Sequence, residues 1–298
     1  MKAFPLVSSF PFATVIAASF VLGSLHQVRA SISYTTPAST YSQNFDSLPI
    51  SPENTSLGNT PLGWTDDNAA PGAGNFSIVG WYLYHPTVPT EGGFNGHQRF
   101  RATAGTQNTG SFYSFGTSGS TERALGDIGS TTLNSTNGGD IFIGLRLSNN
   151  TGQTLDSFTL GYNGEQWRDG GNATPVAQSM SFEWSTTAAV INDPHTLFTS
   201  VASLGYSSPV FTTTAAAVDG NNAGRVVVGP VTVSGINWLP GTDLWLRWDD
   251  LQNSGNDHGL GIDDLSFSAD VAVPEPATGA VLTLGFLALG FLERKRKS

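Results

Sequence analysis

Oxygen donors crowd into residues 249–258, Asp249-Asp250-Leu251-Gln252-Asn253-Ser254-Gly255-Asn256-Asp257-His258, and two more carboxylates follow at Asp263 and Asp264. Calcium takes roughly six to eight hard oxygen ligands from carboxylates, amides and backbone carbonyls. Asp249, Asp250, Asn253, Asn256, Asp257, Asp263 and Asp264 are therefore candidate calcium ligands, and calcium is the one cofactor the sequence suggests. The spacing is not that of an EF-hand loop, because Gly255 is the seventh residue from Asp249 and no downstream Glu closes the loop. Asn, Asp, Ser and Gly also bend chains between strands, so a plain turn is the competing reading.

A second constellation is Gly164-Glu165-Gln166-Trp167-Arg168-Asp169-Gly170-Gly171. Gln166, Trp167, Arg168 and Asp169 on one loop are tools of sugar recognition: an aromatic face for the apolar side of a pyranose, polar groups for its hydroxyls. The expectation is an exposed Trp167 at the rim of a weak glycan site. The alternative folds Trp167 onto the core and pairs Arg168 with Asp169. Glu165 and Glu183, on neighbouring predicted strands, are the pair a glycoside hydrolase would need. No Gly-x-Ser-x-Gly elbow and no His-Glu-x-x-His helix accompanies them, so a noncatalytic protein is expected. His85, His97, His195 and His258 show no zinc-ligand spacing. The absence of cysteine removes thiolate chemistry and disulfides.

These residues must be positioned by strands. Short alternating runs separated by Gly, Asn, Ser and Thr predict strands over 41–45, 76–84, 98–102, 112–115, 141–147, 155–162, 179–185, 225–233, 244–248 and 260–267. The clearest pairing is a hairpin of 141–147 with 155–162 through Asn149-Asn150-Thr151-Gly152. Trp245 and Trp248 differ by an odd number and should point to opposite faces. The fold class expected is all-β, a single two-sheet β-sandwich over residues 31–270. Three short motifs, Asn44-Phe45-Asp46-Ser47-Leu48-Pro49, Pro61-Leu62-Gly63-Trp64 and the closing Gly259-Leu260-Gly261-Ile262-Asp263-Asp264-Leu265-Ser266-Phe267, resemble a wider family of bacterial surface β-sandwiches, and the last of them resembles the final strand of lectin-like jelly rolls and MAM-type adhesion modules. That resemblance implies a jelly-roll-like winding and leaves the ligand open.

Charge narrows the partners. Residues 31–272 carry seven arginines and no lysine against 21 Asp and Glu, a net of −14. Such a surface repels phosphate backbones, so no nucleic-acid partner is expected. It suits cations, or simply solubility.

The ends give an address. Lys2, an apolar stretch over 10–25 and Val28-Arg29-Ala30 read as a signal peptide over residues 1–30, exported through the secretory translocon. At the other end stand Pro274-Glu275-Pro276, an apolar run over 277–292 and the basic Arg294-Lys295-Arg296-Lys297. The cationic cluster resists crossing a membrane, so the run reads as a transmembrane helix and a temporary inner-membrane anchor. Residues 271–298 resemble the PEP-CTERM sorting signal of Gram-negative bacteria that make extracellular polysaccharide. Tails of this kind also carry the name ice-binding protein C-terminal domain, a name that implies no ice binding. The resemblance implies cleavage by an exosortase and a mature form at the cell surface or in the extracellular matrix. The function expected is a noncatalytic exported surface or matrix protein. A carbohydrate-binding adhesin in contact with extracellular polysaccharide is the alternative, and a glycoside hydrolase ranks below both.

Overall fold

The computed structural model describes residues 31–50, 62–68, 70, 75–86, 99–130, 140–251 and 253–272. The predicted signal peptide, the sorting motif (Pro274, Glu275, Pro276, Arg294, Lys295, Arg296, Lys297) and its predicted helix lie outside the described residues. Among the described residues no helix is long and apolar enough to cross a membrane.

In chain order the strands are β1 (Ile32–Tyr34), β2 (Tyr41–Gln43), β3 (Leu62–Trp64), β4 (Asn75–Phe76), β5 (Trp81–Tyr84), β6 (Arg99–Thr103), β7 (Ser111–Phe115) and β8 (Ala124–Ile128). They continue as β9 (Ile141–Asn149), β10 (Leu155–Asp169), β11 (Ser179–Ser185), β12 (Thr199–Ser200) and β13 (Tyr206–Ser207). The last four are β14 (Ala216–Ala217), β15 (Arg225–Trp238), β16 (Asp243–Asp250) and β17 (Gly259–Asp270). They form two mixed sheets. The first runs β1-β9-β16-β11-β12, with β5 also on β9 and β13 on β11. The second runs β14-β10-β17-β8-β7-β6-β3-β4, with β15 on β10 and β2 on β17. The described residues thus form a nearly all-β, two-sheet sandwich.

Strand alternation builds the core between the sheets. On β16, Leu244, Leu246 and Trp248 point inward, where Trp248 stacks on Trp81 at 5.8 Å between ring centres. On β10 and β17, Phe158, Leu160 and Phe267 meet them from the second sheet. Each such side chain contributes roughly 1.5–3 kcal/mol on burial, which is how a chain without disulfides is held. The odd positions of β16 face outward, and Trp245 there packs edge-on against Tyr82 at 4.7 Å. Trp245 and Trp248 do point to opposite faces.

The expected hairpin does not form. β9 belongs to the first sheet, paired with β16 and β5, whereas β10 belongs to the second, between β17 and β15. The Asn-rich connection is an arch between sheets. Asn149 holds it through its side-chain amide, which donates to the carbonyls of Gln153 (2.8 Å) and Trp238 (2.9 Å). Turn residues specify that the chain reverses, but not which neighbour the returning strand then pairs with.

Candidate functional site: a strand-end pocket and three acidic clusters

Residues Gln166 to Asp169 complete β10 instead of forming a loop, and this overturns the expected glycan rim. Trp167 points away from the central core, as its parity requires, yet the second sheet is covered on that side too. Tyr113, Phe115, Ala124 and Ile128 pack around it, and Phe115 lies parallel to the indole at 6.4 Å. The segment 218–224 closes over the top: Val218 N–H donates to the Trp167 carbonyl at 2.8 Å, and a Cβ added at Gly220 would sit 2.3 Å from Trp167 Nε1. Trp167 is 1% exposed, so it is a core residue.

Gln166 and Asp169 are also committed to structure. The Gln166 amide bridges to Val210, donating to its carbonyl at 2.6 Å and accepting from its N–H at 2.8 Å. Asp169 accepts from the N–H (2.8 Å) and hydroxyl (2.7 Å) of Thr212 and lies 3.4 Å from His258. Only Arg168 reaches a surface. Its Nη1 donates to the Gly105 carbonyl at 3.1 Å, and the residue borders a pocket of about 240 Å³. Asn108, Ser130, Asn256 and Asp257 supply further polar groups around that pocket. Gly170 lets two loops close there, since a Cβ on it would meet the Asn256 carbonyl at 2.5 Å. The fold thus joins one residue of the expected glycan set to two of the expected calcium set.

The seven expected calcium ligands do not converge, and the reason is alternation. Asp249 and Asp250 are consecutive on β16, so they leave the strand on opposite faces. Asp250 turns into the sandwich beside Asp127 of β8. Burial raises both pKa values, Asp127 to about 7, and Asp250 well above the usual carboxylate range with the help of the Asp127 charge. Asn253, Asn256 and Asp257 form the loop before β17: Asn253 N–H donates to Asp257 at 3.1 Å, and Asn256 bonds with Asn172 and Gly171. Asp263 and Asp264 lie elsewhere, on β17.

Asp263 gathers partners that the sequence did not suggest as ligands. One carboxylate oxygen each from Glu122, Glu165 and Asp263 lie within 4.8 Å of one another. Glu165 Oε1 and Asp263 Oδ1 are buried and have no hydrogen-bond partner. Burial lifts Glu165 to about 7 and Asp263 to about 9. A register shift between β10 and β17 at Gly161/Asn163 accompanies this arrangement, with Asp264 in the left-handed region at φ 50° and bonded to Asn163 at 2.8 Å. An all-oxygen set of this kind fits a hard divalent cation such as calcium. Glu122 precedes β8 and Glu165 sits in β10, so no local spacing could have shown the grouping.

The glycosidase pair does not assemble. Glu165 lies on the outer side of the second sheet with Trp167, while Glu183 lies on the outer side of the first, paired with Arg247 at 2.5 Å. The sandwich separates them.

No family profile matches this chain, and no curated protein matches it. Solved structures with some likeness include a family-61 carbohydrate-binding module in complex with β-1,4-galactotriose (10% identity, 51% of this chain and 74% of that chain, TM-score 0.26). Another is a xylan-binding domain of Xyn10C from Paenibacillus barcinonensis (9% identity, 80% of this chain and 100% of that chain, TM-score 0.34). A third is the K3 cleaved adhesin domain of Lys-gingipain from Porphyromonas gingivalis (13% identity, 64% of this chain and 92% of that chain, TM-score 0.34). At these values none of the three transfers a ligand to this chain.

Proposed function

We propose that this chain is a noncatalytic exported surface protein, a jelly-roll-like sandwich that holds a neutral glycan at the Arg168 pocket. The observation that carries the reading is the pocket itself. Arg168, Asp257, Asn108, Asn256 and Ser130, all residues with polar side chains, line one small cavity. Ligand pockets run from about 300 to 1,000 Å³, so about 240 Å³ suits roughly one sugar ring, with the rest of a chain in solvent. No indole platform lies within it, so hydrogen bonds must supply the affinity, in the millimolar to micromolar range, about −4 to −8 kcal/mol. The negative surface favours neutral polysaccharide over acidic ones. Neutral glycan arrays probed with the wild type and Arg168→Ala test this. Retention should disappear in the variant while the melting temperature stays within a few degrees; equal retention by both proteins would remove the pocket from consideration.

Export and sorting belong to the same proposal. The signal peptide, the Pro274-Glu275-Pro276 motif and the basic tail support a precursor anchored in the inner membrane and then cut by an exosortase. Intact mass of the surface-associated protein should lack Arg294 to Lys297. A mature form that retains them would contradict cleavage at the motif.

Calcium at Glu122, Glu165 and Asp263 is a second, structural element of the proposal, supported by the two unpartnered buried oxygens. It would offset the charge of Glu165 and Asp263, whose ionisation burial disfavours.

A further inference from the structure

The outward row of β16 ends in a constellation that glycan binding does not use. Arg247 is 0% exposed and lies between the rings of Phe142 and Phe198, its guanidinium carbon 4.0 and 3.6 Å from their centres. Each of its three nitrogens is engaged. Nε donates to Glu183 Oε1 at 2.6 Å, and Nη1 donates to the carbonyls of Ile191 (2.6 Å) and Asp193 (2.8 Å). Nη2 faces Glu183 Oε1 at 2.5 Å and His195 Nδ1 at 3.3 Å. Arg247 therefore pins the segment 186–198 onto the outer face of the first sheet and orients the carboxylate of Glu183.

His195 stands in that segment with its two ring nitrogens in different surroundings. Nδ1 lies 3.1 Å from Glu183 Oε1, and Nε2 lies 2.8 Å from Asp140 Oδ2. Asp140 directly precedes β9, and Asp249 of β16 completes the group. Asp249 is 4% exposed, and its Oδ1 has no hydrogen-bond partner. One oxygen of Asp140, one of Asp249 and one nitrogen of His195 lie within 4.8 Å of one another.

We propose that Asp140, His195 and Asp249 bind a divalent transition-metal ion of the zinc type, with Glu183 holding the histidine. The donor set decides the class. Calcium takes oxygen ligands, whereas one imidazole with two carboxylates suits zinc and its neighbours. His195 Nδ1 faces both Glu183 and Arg247 Nη2, and a metal on Nε2 would select the tautomer in which Nδ1 donates to Glu183 and Nη2 bonds to Glu183 alone. A metal on Nε2 requires the proton on Nδ1, and a carboxylate accepting from that Nδ1–H is the usual support of a metal-bound histidine. Glu183 is in that position and is itself fixed by Arg247. Zinc ligands stand about 2.0–2.2 Å from the metal, so Asp140 and His195 must part slightly from their direct hydrogen bond. The half-exposed imidazole side chain leaves a path for the ion and a position for water. Bound metal would clamp three stretches together: the start of β9, the end of β16 and the segment 186–198.

The test uses purified full-length protein in nonionic detergent, stripped with a chelator and then titrated with zinc and, separately, cobalt. One equivalent of zinc per chain should bind and raise the melting temperature, and cobalt should give the visible absorption of a low-coordinate site. His195→Ala and Asp140→Asn should each lower zinc affinity at least tenfold and abolish the cobalt spectrum; neither side chain is in the core, and Asp140→Asn keeps the shape if His195→Ala misfolds. Glu122→Gln, in the oxygen-only cluster, should leave zinc binding intact. Absence of zinc binding, or zinc binding unchanged in both variants, would overturn the proposal. So would stronger binding of calcium than zinc at this cluster.

Discussion

The indole N–H of Trp167 donates to Oε2 of Glu165, two residues earlier on the same strand, at 2.8 Å. The bond exists because residues two apart share a face of a strand, and it is dry because a second layer of chain covers that face. It ties the largest aromatic of the outer layer to the carboxylate of the all-oxygen cluster. Removing Trp167 should therefore cost stability first. Trp167→Ala is expected to lose about 3–5 kcal/mol in urea unfolding. A loss under about 1 kcal/mol would mean that the indole is not packed as described.

The covering segment should be equally sensitive. Gly220 leaves room for Trp167 and no more, since an added Cβ would lie 2.3 Å from Nε1. Gly220→Ala should destabilise by about 1–3 kcal/mol through overpacking. Gly152→Ala offers a contrast, because nothing lies within 4 Å of its added Cβ and only its φ of +75° is strained. The ordering of the two midpoints checks the packing.

The metal-free protein should lose stability as pH rises. Burial raises Glu165 to about 7 and Asp249 to about 8, whereas unfolded carboxylates titrate near ~4. Between these limits the folded state binds more protons than the unfolded state, so the unfolding free energy falls with increasing pH. The contribution is complete below about pH 4 and is lost as pH passes through 7 to 8. With chelator present, the urea midpoint should drop from pH 5 to pH 8, and Glu165→Gln should flatten part of that slope. A midpoint that rises over this range would contradict the assignment.

Calcium should act in the opposite direction at the same place. An ion that binds only the folded state at a hundredfold excess over Kd stabilises by about 2.7 kcal/mol. Millimolar calcium at pH 8 is expected to raise the melting temperature by several degrees, and Glu165→Gln should remove the response. Identical melting curves with calcium and with chelator would count against a cation at Glu122, Glu165 and Asp263.

Arg247 should be among the costliest residues to alter. Truncating one member of a buried, hydrogen-bonded ion pair costs about 3–5 kcal/mol, because the other charge stays behind. Arg247→Ala would strand Glu183 and free the carbonyls of Ile191 and Asp193. Limited proteolysis should then cut first within 186–198. Cleavage elsewhere, with that segment still protected, would show that Phe198 and Ile191 suffice to hold it.

Much of the fold is readable in the sequence, because period-two alternation is local. The strand predicted over 179–185 coincides with β11, and those at 141–147, 155–162 and 244–248 lie inside β9, β10 and β16. The opposite facing of Trp245 and Trp248 follows from counting alone. Only the tertiary structure decided which strands pair, since the Asn149 turn serves an arch as well as a hairpin. It also decided burial: parity sends Trp167 away from the central core, but whether that side meets water depends on residues 218–224, some 50 positions later. The sites were the least legible. Alternation splits Asp249 from Asp250, while pairing and loop packing bring Glu122 to Asp263 and His195 to Asp140. Contacts between residues far apart in the chain leave no spacing to read, and those contacts are what gather carboxylates and imidazole into one place.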